Sequence, residues 1–286
     1  MEYLISFEEF NRMNDHFVKF IFVNEDRKNL LISLINSIIG SIGFKSISDV
    51  IFKDREFNQE KYKAKGGFVD ILCLGSDNKI YNVEFQNDRE KYFVNRIFYY
   101  MSRLMINIKE GADYSEVKNV CNIAILNHNF FTDLDNKFYF HPFRYQHQIV
   151  KDYYLSKSPL FFIEIPKWEN VKPKIEDFTD LDVFLAFFSK ESTYEYLMEI
   201  AKRSEIMAQL MELQDDYRKD SDLLLGYKTA EDYERDYRSA INSNREEAKD
   251  DAKREMVRNM KNNGLDPKLI GKYTGLSPEV INSYSI

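Results

Sequence analysis

Two cysteines in 286 residues cannot build a disulfide framework or a four-thiolate metal site. Cys73 and Cys121 both fall in apolar, strand-like runs, so they read as small buried hydrophobes in a reducing compartment. Ten glycines and six prolines leave little material for flexible linkers. No apolar stretch is long enough to span a bilayer, and Met1-Glu-Tyr-Leu-Ile5 lacks the basic start and long apolar run of a secretory leader. The expectation is a cytoplasmic protein with no membrane partner. The absence of a P-loop or dinucleotide fingerprint excludes the common nucleotide cofactors. His128, His141 and His147 show no zinc-site spacing, and the segment from His141 to His147 reads as an exposed strand end.

What is present argues for a large core: 44% hydrophobic residues, 15% aromatic, with 23 Phe and 19 Tyr. The formal net charge of −7 argues against tight, general coating of a polyanion, because phosphate binding is largely electrostatic. It leaves a local binding groove open.

The most informative stretch is Phe68-Val-Asp-Ile-Leu-Cys-Leu74, a turn, and Ile80-Tyr-Asn-Val-Glu-Phe-Gln86. Two runs of β-formers flank Gly75-Ser-Asp-Asn-Lys79, which predicts an antiparallel hairpin. If the turn centres on Asp77, Asp70 falls opposite or nearly opposite Glu84; directly opposed residues have Cβ atoms roughly 5 Å apart, and like charges there repel. Apolar neighbours on both sides of each acid imply burial, where an unpaired carboxylate is costly. A divalent cation between the two acids removes both penalties; a Lys or Arg bridge is the structural alternative. Gln86 shares the face of Glu84.

Along the chain, apolar periodicity predicts helices over 8–22 and 26–39, then a strand over 47–57. A helix over 90–109 buries Phe93, Ile97, Met101, Leu104 and Ile108, with Arg96, Tyr100 and Arg103 off that stripe. Strands follow over 119–127, 138–149 and 160–165. The order predicts an α/β fold, a central mixed sheet flanked by helices, followed by a helical C-terminal region. Residues 1–170 read as the core and 171–228 as a helical extension packed on it, with helices over 175–199 and 204–214. Residues 229–286 read as a charged helical arm with opposite charges in helix register, ending in a short tail. The tail, Leu269-Ile-Gly-Lys-Tyr-Thr-Gly275-Leu-Ser-Pro-Glu-Val-Ile281, resembles the core of a helix-turn-helix. Its second helix presents Glu279, Asn282 and Ser283 and no cation, so packing or assembly is favoured over groove reading.

Asp70 followed by Glu84-Phe85-Gln86 resembles the signature of the PD-(D/E)XK nucleases, in the branch of transposases and recombination-promoting nucleases. Asp15-His-Phe-Val-Lys19-Phe-Ile-Phe22, the run Leu30–Asn36, Lys65, Arg96 with Tyr100, and the turn Gly111-x-x-Tyr114 resemble further landmarks of that branch. The ending Lys272-Tyr-Thr-Gly-Leu-Ser277 is similar too. The resemblance implies a restriction-endonuclease-like core and a Mg²⁺- or Mn²⁺-dependent DNA endonuclease. Asp70, Glu84 and a main-chain carbonyl near Phe85 would hold the ion. Gln86 stands where the general motif has Lys, which removes a cation near the attacked phosphate. Lys65, and second Lys19, are the candidates to supply it, with Asp15 orienting the site or charging its helix. Arg96, Tyr100 and Arg103 are the candidate DNA contacts. DNA is the expected partner, and a homo-oligomer is compatible with the arm. The competing expectation is a decayed nuclease fold that binds DNA or assembles with protein.

Overall fold

The computed structural model describes residues 3–53, 71–106, 113–151, 153–154 and 158–284. Lys65, Asp70 and Gly111 lie outside these residues, as do residues 54–57 of the expected 47–57 strand.

Six described strands form one mixed sheet: β1 (Val50–Phe52), β2 (Ile71–Gly75), β3 (Ile80–Gln86), β4 (Val120–Leu126), β5 (Phe140–Phe143) and β6 (Leu160–Glu164), in the order β1-β2-β3-β4-β6-β5. β2 is antiparallel to β1 and β3, β4 runs parallel to β3 and β6, and β5 closes the edge antiparallel to β6. The hairpin pairs Ile71 with Val83, Leu72 with Asn82 and Cys73 with Tyr81, so its turn centres on Asp77. Asn78 takes the left-handed φ of 64° there, a conformation its short polar side chain tolerates. Gly75 is required for space, since a Cβ would lie 2.6 Å from the Tyr81 ring.

Side-chain alternation gives the sheet two different faces. Tyr81, Val83 and Phe85 join a large core with α1 (Asp15–Phe22) and α2 (Lys28–Ile39). In α2, Leu30, Leu31, Leu34, Ile35, Ile38 and Ile39 are all buried, each contributing about 1.5–3 kcal/mol of burial. The other face carries Ile80 and packs under α3 (Phe93–Met105), whose Phe93, Ile97, Met101 and Leu104 meet Val120, Ala124, Leu126 and Phe162. Every residue of β4 is buried, as expected for a strand covered on both faces.

The helix that was expected from residue 8 begins only at Asp15, because the Asn14 side chain accepts from the amides of His16 and Phe17 and caps it there. The helix expected over 26–39 opens with a 3₁₀ turn, Glu25–Arg27, before α2. After β6 come α4 (Ile165–Glu169), α5 (Asp180–Phe188), α6 (Tyr194–Ala201) and α7 (Glu205–Tyr217). The single helix expected over 175–199 is divided because Thr179 and Asp182 form a capping box and Thr193 caps α6. The expected 138–149 strand shrinks to β5, whose Pro142 suits an edge. His141 is buried in β5 rather than exposed, a correction explained below.

Cα packing divides the chain into two compact units, Met1–Tyr227 and Lys228–Ile286. Helix α8 comprises Ser221–Asn262, 42 residues. Beyond the boundary Arg235–Asp232 at 2.8 Å and Arg238–Glu234 at 3.0 Å are ion pairs in helix register. At its far end Val257 packs with Ile270 of α9 (Pro267–Thr274) and Ile281 of α10 (Pro278–Ser283). Gly275, at φ 69°, makes the turn between the last two helices. The end of α8 is thus the helix that completes the helix-turn-helix-like tail. Among the described residues no helix is long and apolar enough to cross a membrane.

Candidate functional site

Glu84 lies on the α3 face of β3 and is only 1% exposed. Its Oε1 accepts a 2.9 Å hydrogen bond from Asn82 Nδ2, two residues earlier on the same face. Its Oε2 meets Arg96 Nη2 at 3.3 Å, and Arg96 Nη1 donates to Glu90 Oε1 at 2.8 Å. Burial pushes the Glu84 carboxyl above the usual carboxylate range, opposed by the Arg96 guanidinium and the Asn82 amide. Arg96 is therefore an acid-pairing residue here, one arm on each carboxylate.

Asn82 sits opposite Asn122 in the parallel β3–β4 register, and its Nδ2 also donates to Asn122 Oδ1 at 2.6 Å. Both amides are buried. Among the described residues no donor meets Asn82 Oδ1 and no acceptor meets Asn122 Nδ2.

Past Glu84, half-buried Gln86 ends the strand, and its carbonyl accepts from the amide of Asn127 at 2.9 Å. Asn87 Nδ2 then donates to the Met13 carbonyl at 3.0 Å, tying the end of β3 to the segment that enters α1. That helix carries Asp15, a first-turn acid, ion-paired with Lys19 one turn on. The C-terminal end of β3 and the segment that enters α1 are thus joined. Phe85 turns its side chain to the opposite face, against Phe22 and Phe188 at ring separations of 5.8 and 4.8 Å. Only its main chain borders the Glu84 face. Tyr100 is buried, whereas Arg103 stays partly exposed and donates to Tyr99 Oη at 3.1 Å.

Sequence reasoning missed three groups. Asn82 carried a signal, a polar residue on the acid's face within a run of β-formers. Asn122 gave the same signal on β4. The third is a buried cluster in which Glu164 Oε2 meets His141 Nε2 at 2.7 Å and Lys167 Nζ at 2.9 Å, while Oε1 accepts from the amides of Phe130 and Phe131 at 2.5 and 3.0 Å. Lys167 also donates to the Phe131 carbonyl at 2.6 Å. With all these bonds made, the cluster fastens the loop after β4 onto β6 and explains why His141 is buried.

Residues 12–244 match the PD-(D/E)XK nuclease family transposase. The chain belongs to this family. Its mixed sheet with flanking helices is accordingly a restriction-endonuclease-like fold, and its function is of the nuclease–transposase type. No curated protein and no solved structure matches the chain. PD-(D/E)XK nucleases generally use divalent metals. Among the described residues no group of three or more His, Cys, Asp or Glu side chains converges as a metal site. The groups that meet Glu84 are the N–H donors Asn82 Nδ2 and Arg96 Nη2, so its carboxylate is the ligand this face offers, an oxygen ligand that suits a hard cation. Two observations at Glu84 bear on the fit: an orphaned buried amide oxygen at Asn82 favours a further electropositive partner, and Arg96 competes for Oε2.

Proposed function

We propose that the chain is a Mg²⁺- or Mn²⁺-dependent DNA endonuclease that hydrolyses phosphodiester bonds during recombination or transposition. The observation that carries this reading is Glu84, a carboxylate buried on a sheet face with hydrogen-bond donors that favour its charge. The described pairs, centred on Asp77, have the register from which the sequence leads one to expect Asp70 opposite Glu84. Asp70, Glu84 and the Phe85 carbonyl would hold the ion. A hard divalent cation in such a site supplies an activated water and offsets charge on the phosphate.

The remaining roles belong to side chains. Gln86 can donate and accept hydrogen bonds to water or a phosphate oxygen but carries no charge. Lys65, or Lys19 beside Asp15, would supply the missing positive charge. Arg96, paired with Glu84 and Glu90, would neutralise the acid-rich end of the sheet. Arg103 is the more accessible of the DNA-contact candidates, since Tyr100 is buried. DNA is the proposed substrate. Supercoiled plasmid with Mg²⁺ or Mn²⁺ provides the test: the wild type should nick it and the Asp70→Ala/Glu84→Ala variant should not. Equal nicking by both would end this reading.

A second reading, a weakly active or inactive nuclease fold serving DNA binding or assembly, is favoured by the direct Arg96–Glu84 pair together with Gln86 in the lysine position. Lys65→Ala and Lys19→Ala separate the two. If the protein cuts and both variants cut like the wild type, neither lysine compensates for Gln86; if the wild type never cuts, the second reading stands.

A further inference from the structure

We infer that Asn82 and Asn122 form a positioning pair that fixes the Glu84 carboxylate for a divalent cation; this rests on the metal-dependent reading above. Asparagine is disfavoured in strands, and two of them directly opposed inside a sheet, 0% and 1% exposed, are costly unless they serve something. A structural explanation by mutual satisfaction fails, because Asn82 Oδ1 and Asn122 Nδ2 are buried without a partner among the described residues. An apolar pair would remove both orphans and pack the same space under α3.

The directions of the bonds show what the pair does. Asn82 has two amide hydrogens, and two acceptors flank its Nδ2: Glu84 Oε1 at 2.9 Å and Asn122 Oδ1 at 2.6 Å. Turning the Asn82 amide over would set its oxygen against both a carboxylate and a carbonyl. Asn122 therefore locks the amide, and the locked amide always donates to Glu84. With Oε1 held from below by Asn82, Oε2 is the oxygen presented toward Arg96. The arrangement holds Glu84 in one rotamer, with Oε2 as the edge that Arg96 and a cation would share. Partners of this kind behind a metal-ligating carboxylate orient the ligand and typically contribute about 10–100-fold in metal affinity.

Isothermal titration with Mn²⁺ tests the pair on the full chain without relying on turnover, with circular dichroism and thermal melting as fold controls. Asn82→Leu/Asn122→Leu should fold and melt cooperatively yet bind Mn²⁺ about tenfold or more weakly than the wild type. Asn122→Ala, which frees the amide but keeps its donor, should lose less than Asn82→Ala. Unchanged Mn²⁺ affinity in a folded leucine double variant would overturn the inference, as would equal losses in the two alanine variants. If the leucine variant fails to fold, the two alanine variants carry the same comparison. Glu84→Gln separates this inference from the reading beneath it. If Glu84→Gln retains wild-type Mn²⁺ affinity, the metal site itself is misassigned. If it abolishes binding while the asparagine variants bind normally, only the positioning role falls.

Discussion

Arg96→Met should destabilise the protein in proportion to pH. Breaking a fully buried ion pair by removing one partner costs about 3–5 kcal/mol. Here the acid is buried but the Arg96 side chain keeps 22% exposure and the contact is 3.3 Å, so about 2 kcal/mol is expected near neutral pH. Burial already raises the Glu84 carboxyl, and losing the guanidinium raises it further. A carboxyl raised in the folded state binds its proton more tightly there than in the unfolded chain. Its contribution is then fully present below the unfolded value of about 4.3 and is lost as pH climbs through the folded value, at up to about 1.4 kcal/mol per pH unit. The variant should therefore be close to wild type at about pH 4, below the unfolded value, and short by about 2 kcal/mol at about pH 8. Urea unfolding followed by circular dichroism at the two pH values measures this. In a Glu84→Gln background the same Arg96→Met change should be nearly silent. A penalty independent of pH, or one of equal size in the Glu84→Gln background, would refute the coupling of Arg96 to a buried carboxylate.

Three further outcomes follow from the packing. A Cβ on Gly226 would sit 2.3 Å from the His16 ring, which Tyr217 Oη holds at 2.6 Å, so Gly226→Ala should lower stability by about 1–3 kcal/mol despite its gain in helix propensity; an unchanged urea midpoint would contradict this. Buried Arg12 donates to the carbonyls of Phe187 and Ser189, both at 2.5 Å, at the C-terminal end of α5, and Arg12→Met should cost about 2–4 kcal/mol by leaving them unmet; a thermal midpoint equal to wild type would show that the guanidinium is dispensable. A chain ending at Tyr227 should stay soluble and unfold cooperatively, since Phe10 and Tyr227 stack at 4.9 Å within the first unit; loss of the thermal transition would place the arm in the core.

The hairpin was legible because β-formers on both sides of Gly75–Lys79 leave one turn centre, and its register follows from that centre alone. Helix α2 was legible because its apolar spacing runs unbroken from Leu30 to Ile39. The breaks were not: Asn14 and Thr193 end apolar patterns by local capping, which periodicity averages away. Arg12, Asn122 and the Glu164–Lys167–His141 cluster were hidden for a different reason. Their meaning depends on partners distant in sequence, such as Phe187 for Arg12 and Phe131 for Lys167. The pairing of Arg96 with Glu84 was one of two alternatives open in the sequence, and only the placement of α3 over β3 favours it.

We propose that Glu84 belongs to a divalent-cation site shared with Asp70. Anomalous diffraction from a Mn²⁺-soaked crystal tests it most directly. A manganese peak is expected within ligand distance of both carboxylates, about 2.0–2.6 Å for hard cations. A crystal with no peak there, in which Arg96 or a lysine bridges Asp70 and Glu84 directly, would contradict it.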